Sequence, residues 1–273
     1  MNVLVGERLS IITSKMQTTR HRIKGIVNGD DFQIVYSDTP GILKPNYKLQ
    51  ETMMKFVNTA LIDADIILYV TDVVESPAKN EEYIDRIKSS EAAVIVLINK
   101  IDLSDQEKVM SLYEYWRKKL PLADVYAISA TEKFNVAEIF DRILELLPEG
   151  PAYFPKDEMT DRNERFFVSE IIREKILLFY DKEVPYSVEV EVEQFKEEDK
   201  ILNLMCVIHV ARDSQKGIII GHQGQALKRV GMEARLDMEE FFQKKVFLQL
   251  FVKVNKDWRD KDNALGSFGY DME

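Results

Sequence analysis

Asp38–Gly41 (Asp-Thr-Pro-Gly) and Asn99–Asp102 (Asn-Lys-Ile-Asp) decide the fold, because each string begins where an apolar, strand-like run ends. Ser129 and Ala130 follow a third run of the same kind. Open α/β sheets bind their ligands beyond the carboxyl ends of parallel strands. The three strings therefore predict an α/β fold with a ligand site at the carboxyl ends of its strands.

Strand-like and helix-like segments alternate around these strings as far as about Leu147. The predicted strands are Arg22–Val27, Phe32–Ser37, Asp65–Thr71, Ala92–Ile98 and Val125–Ile128. The predicted helices are Tyr47–Ile62, Asn80–Ser89, Asp105–Lys118 and Val136–Leu147. Asn28–Asp31 has the composition of a hairpin turn, so the first two strands are predicted to pair antiparallel. The later strands are separated by helices, which indicates a mainly parallel, doubly wound sheet with helices on both faces.

The composition is that of a globular protein, with 45% hydrophobic and 31% charged residues. The longest apolar runs are far shorter than the roughly 20 residues of a membrane-spanning helix. Because the N-terminus also lacks a signal-peptide pattern, we expect a cytoplasmic protein. The single cysteine, Cys206, lies in an apolar run and is predicted to be buried. The net charge of −10 argues against a protein that coats nucleic acid over its whole surface. Residues 212–235, however, hold five basic and two acidic residues, and such a local basic face can bind a polyanion.

A polar, proline-marked stretch separates a second region from the first. We predict a first domain over residues 1–148, a linker over 149–162 and a second domain over 163–273. The predicted order of elements in the second domain is helix, strand, strand, helix, helix, strand. Its predicted segments are the helix Asn163–Tyr180, the strands Tyr186–Phe195 and Ile201–Ala211, the isoleucine-rich run Gly217–Gly221, the helix Gly224–Phe242 and the strand Val246–Val254.

Asp38 is a candidate Mg²⁺ residue, because a carboxylate at a strand end can hold the ion through a water molecule. Gly41 leaves space for its N–H to approach a γ-phosphate, whose loss releases the following segment in GTPases. Thr18 or Thr19 is predicted to supply the switch I hydroxyl that closes over Mg²⁺. Ile42 stands where Ras-like proteins carry the glutamine that orients water, so hydrolysis is expected to be slow or to use another group.

Asn99, Lys100 and Asp102 predict a guanine pocket. Asp102 can accept hydrogen bonds from N1 and N2 of guanine, Asn99 can bond the base edge and neighbouring loops, and the Lys100 stem can lie over the ring. Ser129 and Ala130 can present backbone N–H groups to guanine O6. Adenine offers Asp102 no such pair of donors, so the pocket selects GTP over ATP and disfavours an ATPase.

The phosphate end of the predicted site is incomplete in this sequence. No G-x-x-x-x-G-K-[ST] string, which cradles the β-phosphate in P-loop GTPases, occurs in the 273 residues. The candidate GTP-binding residues are Asp38, Thr39, Pro40, Gly41, Asn99, Lys100, Asp102, Ser129 and Ala130. We therefore expect a base pocket whose phosphate contacts are weak.

A Gly-x-x-Gly string lies between the isoleucine-rich run and a helix. Two glycines let the backbone approach a sugar-phosphate chain, and the helix N-terminus favours phosphate. In KH domains such a loop clamps about four nucleotides. Ile218–Ile220 are predicted to form an apolar wall for unstacked bases. The candidate RNA-binding residues are Gly221, His222, Gln223, Gly224, Lys228 and Arg229.

Essentially the whole chain resembles the Era family of bacterial GTPases, which carry a C-terminal type II KH domain. Besides the GTPase strings, the matching segments are Ile12–Lys15, Gln17–Arg22, Pro185–Ser187, Ile220–Gly224, Gly231–Arg235, Trp258 and Ala264–Tyr270. The resemblance implies a doubly wound, P-loop-GTPase-like α/β domain followed by an α+β type II KH domain. It also implies that Met1–Gly6 belongs to the helix after the phosphate loop, so that the first strand and the loop are missing and hydrolysis is impaired.

The same resemblance implies cofactors, partners and a location. The cofactors are GTP or GDP and Mg²⁺, and nucleotide exchange positions the KH domain on the 3′ end of 16S rRNA during maturation of the 30S subunit. The implied location is the cytosol and, peripherally, the inner membrane, and we expect a monomer. The alternative is a non-catalytic RNA-binding protein that keeps a pseudo-GTPase scaffold. Phosphate-loop codons in frame upstream of Met1 would favour the GTPase, and a stop codon there the alternative.

Overall fold

The computed structural model describes residues 1–77 and 79–270, which divide into two compact units. Unit 1 consists of Met1–Glu7, Gly25–Ser37 and Asn58–Met159. Unit 2 consists of Arg8–Lys24, Asp38–Val57 and the chain from Thr160 onward. Two segments of the predicted nucleotide-binding domain thus belong to the same compact unit as the predicted KH domain.

The secondary-structure elements follow the predicted order, with boundaries mostly within two residues of the predicted ones. The strands are β1 (Ile23–Asn28), β2 (Gln33–Asp38), β3 (Ile66–Asp72), β4 (Ala93–Asn99), β5 (Asp124–Ala127), β6 (Val188–Glu197), β7 (Ile201–Val210) and β8 (Lys245–Val254). The helices are α1 (Asn2–Val5), α2 (Lys48–Asp63), α3 (Glu81–Lys88), α4 (Gln106–Lys119), α5 (Val136–Leu146), α6 (Glu164–Phe179), α7 (Asp213–Ile220), α8 (Gln225–Phe242) and α9 (Asp262–Ser267).

The parallel sheet of unit 1 consists of β3, β4 and β5, in that order. Leu97 of β4 and Ile139 of α5 belong to one buried cluster on one face of the sheet. Tyr69 of β3 is paired with Val96 and therefore lies on the other face, where Trp116 of α4 packs with its ring centroid 5.1 Å from that of Tyr69. The prediction of a parallel sheet with helices on both faces is confirmed.

The hairpin strands β1 and β2 form a separate sheet of two strands. Gly29 N donates to Phe32 O at 2.9 Å and closes a connection that is too short for a parallel crossover, so the pair is antiparallel as predicted. Ile34 and Tyr36 of β2 nevertheless share a hydrophobic cluster with Ile95 of β4. Within the described residues, unit 1 therefore has two sheets over a common core, because no strand pairs with both of them.

Unit 2 contains one sheet of three strands, in which β7 pairs antiparallel with β6 and parallel with β8. One face carries the buried core, to which α6, α7 and α8 contribute Ile172, Ile219 and Ala234. Cys206 of β7 lies within this core, as predicted, and burial raises the pKa of its thiol to about 12. The order α6, β6, β7, α7, α8, β8 is the predicted one.

The predicted order of the second domain includes a helix at α7, although three consecutive isoleucines by themselves favour a strand. Its start is fixed by Gln215, whose Oε1 accepts a hydrogen bond from Arg212 N at 3.0 Å. It ends at Gly221, where φ is +72°.

The predicted domain boundaries at 148 and 163 remain a prediction, and residues 271–273 of the second domain lie outside the described residues. Among the helices that the structure describes, none is both long and apolar enough to span a membrane.

Candidate nucleotide and RNA sites

The guanine-pocket residues of unit 1 lie where two neighbouring parallel strands end. Asn99 is the last residue of β4, and Ser129 follows β5, which pairs with β4 in parallel. The Asn99 side-chain oxygen accepts hydrogen bonds from Lys100 N at 2.8 Å and from Ala130 N at 3.1 Å. The amide of Asn99 therefore joins the two loops, as predicted for a residue that bonds neighbouring loops.

The Ser129 hydroxyl holds the Asp102 carboxylate, whereas the sequence analysis assigned to Ser129 only a backbone N–H for guanine O6. Ser129 Oγ, which is buried, donates to Asp102 Oδ1 at 2.6 Å. Asp102 itself is exposed, and among the described residues its Oδ2 has no hydrogen-bond donor. The carboxylate is thus oriented on one side and open on the other, as recognition of a base edge requires.

The backbone of the loop after β5 differs from the expected arrangement. Ala130 N donates to Asn99, and Ser129 N donates to Phe134 O at 3.4 Å. Both N–H groups predicted to bind guanine O6 thus have acceptors within the protein. The loop contributes to the predicted pocket through the Ser129 hydroxyl, which positions Asp102, rather than through these two N–H groups.

Lys100 has a constrained backbone and a defined side-chain partner. Its φ of +60° lies in the left-handed region, which is uncommon for a residue other than glycine. Its Nζ lies 2.6 Å from Oδ2 of Asp72, the last residue of β3. Asp72 was not singled out in the sequence, because only the pairing of β3 with β4 brings it beside Lys100.

In unit 2, Asp38 ends β2 and is half-buried. Ser10 Oγ donates to Asp38 Oδ2 at 2.6 Å, an orienting contact that the sequence did not predict. A Cβ built at Gly41 would have no atom within 4 Å, so the backbone there is open to a ligand. Thr39 and Pro40 connect the two residues, and Pro40 is buried.

The predicted switch I threonines lie in the segment Arg8–Lys24 of unit 2. Thr18 Oγ1 donates to Lys15 O at 2.6 Å, and Thr18 O accepts a hydrogen bond from the Arg173 guanidinium of α6. Thr19 is half-buried beside it. In this arrangement the Thr18 hydroxyl is engaged with the backbone, so the choice between Thr18 and Thr19 as Mg²⁺ residue remains open.

The same segment is anchored by a buried polar cluster that the sequence did not reveal. Arg20 Nη1 donates to Val188 O at 2.7 Å and lies 3.1 Å from Glu189 Oε2. Tyr270 OH donates to the same carboxylate oxygen at 2.7 Å, and the Tyr270 ring stacks on His21 at 4.2 Å between centroids. Burial, followed by the charges of nearby arginines, lowers the pKa of His21 well below its ordinary value.

The Gly-x-x-Gly loop lies between α7 and α8 in unit 2. Gly221 and Gly224 have φ of +72° and +75°, and a Cβ at Gly221 would lie only 2.6 Å from Ala226 Cβ. His222 and Gln223 are exposed between them. Gln225 N donates to His222 O, and Gly224 supplies no capping side chain, so the N–H groups of the first turn beyond Gln225 are those left to face a phosphate.

The basic residues of α8 lie on the exposed side of the helix. Lys228 and Arg229 are both exposed, and the Arg229 guanidinium lies over the ring of Phe179 at 4.1 Å. The predicted apolar wall of three isoleucines is wrong in part. Ile218 is 51% exposed, but Ile219 is fully buried in the core because it lies on the inner side of a helix rather than in an extended run.

Two family models match the chain. One, described as a 50S ribosome-binding GTPase, matches residues 1–100, and the other, described as a KH domain, matches residues 183–259. The GTPase Era of Caldanaerobacter subterraneus subsp. tengcongensis is 44% identical over 276 residues, covering 100% of this chain and 93% of that protein. The chain belongs to the Era GTPase family. The GTPase Era of Staphylococcus haemolyticus is 42% identical and covers 99% of this chain and 91% of the relative.

Solved structures of Era share the fold over nearly the whole chain. The crystal structure of Era in complex with MgGDPNP and nucleotides 1506–1542 of 16S ribosomal RNA matches with a TM-score of 0.94, at 38% identity over 99% of this chain and 93% of that one. An Aquifex aeolicus Era variant bound to GDP and AlF4⁻ matches with the same TM-score and coverage. The Era-family chain thus has the expected GTPase-type domain followed by a KH domain.

Proposed function

We propose that this Era-family chain binds single-stranded RNA through the Gly-x-x-Gly loop of unit 2 and recognises guanine through unit 1. The observation that carries the RNA proposal is the loop itself. Gly224 leaves the backbone open to a ligand, Gly221 permits the close packing of the loop on Ala226, and the start of α8 adjoins both glycines. Lys228 supplies positive charge in the first turn of the helix. These are the features with which KH domains hold a sugar-phosphate backbone.

The proposed RNA is the 3′ end of 16S rRNA, and the proposed process is maturation of the 30S subunit. This choice is supported by the likeness to the Era structure determined with nucleotides 1506–1542 of 16S ribosomal RNA. Location in the cytoplasm is a further proposal, which rests on the sequence pattern and on the family resemblance. Peripheral association with the inner membrane and a monomeric state are proposals that rest on the family resemblance alone.

The proposed guanine site uses Asp102 for the base edge, Asn99 for the loops and Lys100 for the ring face. Asp38 is the proposed Mg²⁺ residue, acting through water, with Thr18 or Thr19 on the other side. In proteins Mg²⁺ is typically bound by one or two carboxylates together with water molecules and substrate phosphates, so a single carboxylate such as Asp38 fits this role. GTP and GDP binding would then bias the segments 8–24 and 38–57, which are packed within unit 2.

Two titrations test the proposal. Fluorescence anisotropy with a short RNA that matches the 3′ end of 16S rRNA should give saturable binding that weakens as salt rises. Displacement of a fluorescent guanine nucleotide should require much less GTP than ATP. Equal displacement by both nucleotides would contradict the guanine pocket, and failure to bind the RNA would contradict the RNA site.

A second candidate function is a non-catalytic RNA-binding protein with a pseudo-GTPase scaffold. The 273 residues given contain no phosphate-loop string. For the chain as given, we expect GTP turnover near background in a steady-state phosphate-release assay, because the β- and γ-phosphates lack their main protein ligands. Robust turnover would require another segment to replace that loop and would rule out the second candidate.

A further inference from the structure

Asp72 has three polar contacts beside the proposed guanine pocket. Its Oδ2 lies 2.6 Å from Lys100 Nζ, and its Oδ1 accepts hydrogen bonds from Val74 N at 2.8 Å and from Glu75 N at 2.9 Å. Burial alone would raise the pKa of the Asp72 carboxyl, but the hydrogen bonds from Lys100 and from the N–H groups of Glu75 and Val74 outweigh burial and lower it. The carboxylate is therefore charged and fixed on both of its oxygens.

The position of Asp72 is set by the sheet rather than by mobile side chains. In the parallel pair of β3 and β4, Asp72 is the register partner of Asn99, and Val73 N donates to Asn99 O at 3.3 Å. Asp72 therefore sits at the end of the strand next to the one that presents Asn99 and Lys100. Its side chain is 18% exposed, whereas that of Lys100 is 51% exposed.

Lys100 needs such a partner if its stem is to lie over a base. A lysine side chain has four rotatable carbons and a strongly hydrated ammonium group, so an unpaired one samples many conformations. The left-handed backbone of Lys100 sets the direction in which the stem leaves the loop. The contact with Asp72 then holds the far end of the same side chain.

We propose that Asp72 is a positioning residue of the guanine site, which holds Lys100 extended before the base arrives. The inference deepens the proposed guanine recognition and rests on it. Asp72 touches no ligand in this account, because it acts through the Lys100 ammonium. Since the lysine is ordered in advance, less side-chain entropy is lost when guanine binds.

The test compares GMP and AMP binding by NMR titration of the whole chain, since GMP carries the base but needs no phosphate loop. Asp72→Asn keeps an oxygen acceptor for the two N–H groups of the turn and removes the charge that holds Lys100. We expect it to weaken GMP binding about threefold to tenfold, the cost of ordering one long side chain on binding. The matched control is Glu82→Gln, which removes the charge from the exposed Arg86–Glu82 pair of the same unit and should leave GMP binding unchanged.

A double-mutant cycle separates positioning from a merely structural role. Lys100→Met keeps much of the aliphatic stem and removes the ammonium, so Asp72→Asn should cause no further loss in that background. If Asp72→Asn leaves GMP binding unchanged, or weakens it equally with and without the lysine, this inference is overturned while the guanine pocket stands. If the unaltered chain does not prefer GMP to AMP, the proposed pocket fails and the inference fails with it.

Discussion

Unit 2 builds one hydrogen-bonded sheet over one core, whereas unit 1 distributes its strands over two sheets that share a core. The Gly-x-x-Gly loop of unit 2 lies between two helices packed on that sheet. The guanine-pocket residues of unit 1 instead depend on the loops after β4 and β5, which Asn99 and Ser129 hold together. The proposed RNA site is therefore supported by a continuous sheet and core, whereas the proposed nucleotide site is defined mainly at its base end.

The segment Arg8–Lys24 belongs to unit 2. The sequence placed this segment in the nucleotide-binding domain, because Thr18 and Thr19 resemble switch residues. Its buried contacts, through Arg20 and His21, are with Glu189 and Tyr270. We expect this segment to stabilise unit 2, and we expect the proposed RNA site to bind RNA without a nucleotide.

The largest effect is expected from breaking the buried pair of Arg20 and Glu189, whose side chains are 3% and 7% exposed. Arg20→Met should lower the free energy of unfolding by about 3–5 kcal/mol, because it leaves a buried carboxylate without its cation. Urea denaturation followed by the fluorescence of Trp258, with Trp116→Phe present in both the variant and its reference chain, measures this. Trp258 is fully buried in unit 2 and donates to Ser187 O.

A paired substitution is the control for that prediction. Arg20→Met combined with Glu189→Leu removes both charges and should recover much of the lost stability, because no uncompensated charge remains. If Arg20→Met alone leaves the unfolding of unit 2 unchanged, the segment Arg8–Lys24 is not part of its stable structure.

The next largest effect is expected at the Gly-x-x-Gly loop. Introducing Asp at both His222 and Gln223 places two negative charges where phosphates must lie, and like charges brought together cost several kcal/mol, so RNA affinity should fall about a hundredfold or more. Both glycines remain, so the fold should be kept. Anisotropy titration measures the affinity, and thermal unfolding checks the fold. Unchanged affinity would exclude the loop from the RNA site.

Acid should destabilise unit 2 through His21. Burial, followed by the charges of Arg162, Arg173 and Arg20, lowers the pKa of His21 in the folded chain, so the ring is neutral there. The unfolded chain takes up a proton below about pH 6.5, and the stability that His21 contributes is therefore lost as pH falls, by about 1.4 kcal/mol per pH unit. Denaturation at a series of pH values measures the slope. His21→Phe should reduce the slope just below about pH 6.5, and an unaltered slope would mean that other groups cause the acid sensitivity.

The smallest effect is expected at a single exposed cation. Lys228→Ala should weaken RNA binding without loss of the fold. The magnitude of the slope of log affinity against log salt concentration should fall by about 0.7, the value for one phosphate contact on a single strand. The control is Lys118→Ala on α4 of unit 1, which should leave both affinity and slope unchanged. Equal slopes for Lys228→Ala and the unaltered chain would mean that Lys228 makes no phosphate contact.

The sequence predicted the order of the elements well because apolar periodicity and turn residues are local signals. It also placed Asn99, Asp102 and Ser129 at strand ends, where the structure has them. It could not predict the Asp72–Lys100 and Ser10–Asp38 contacts, since these join residues that are distant in the chain. The burial of Ile219 depends on α7 being a helix, which the isoleucine run itself disfavours.

The central claim is that the RNA site of unit 2 is complete without a bound nucleotide. The direct measurement is an anisotropy titration of the whole chain, free of nucleotide, with an RNA matching the 3′ end of 16S rRNA and with a scrambled RNA of equal length. The account predicts saturable binding that prefers the matching RNA and does not require GTP or Mg²⁺. Absence of binding, or equal affinity for both RNAs, would contradict it.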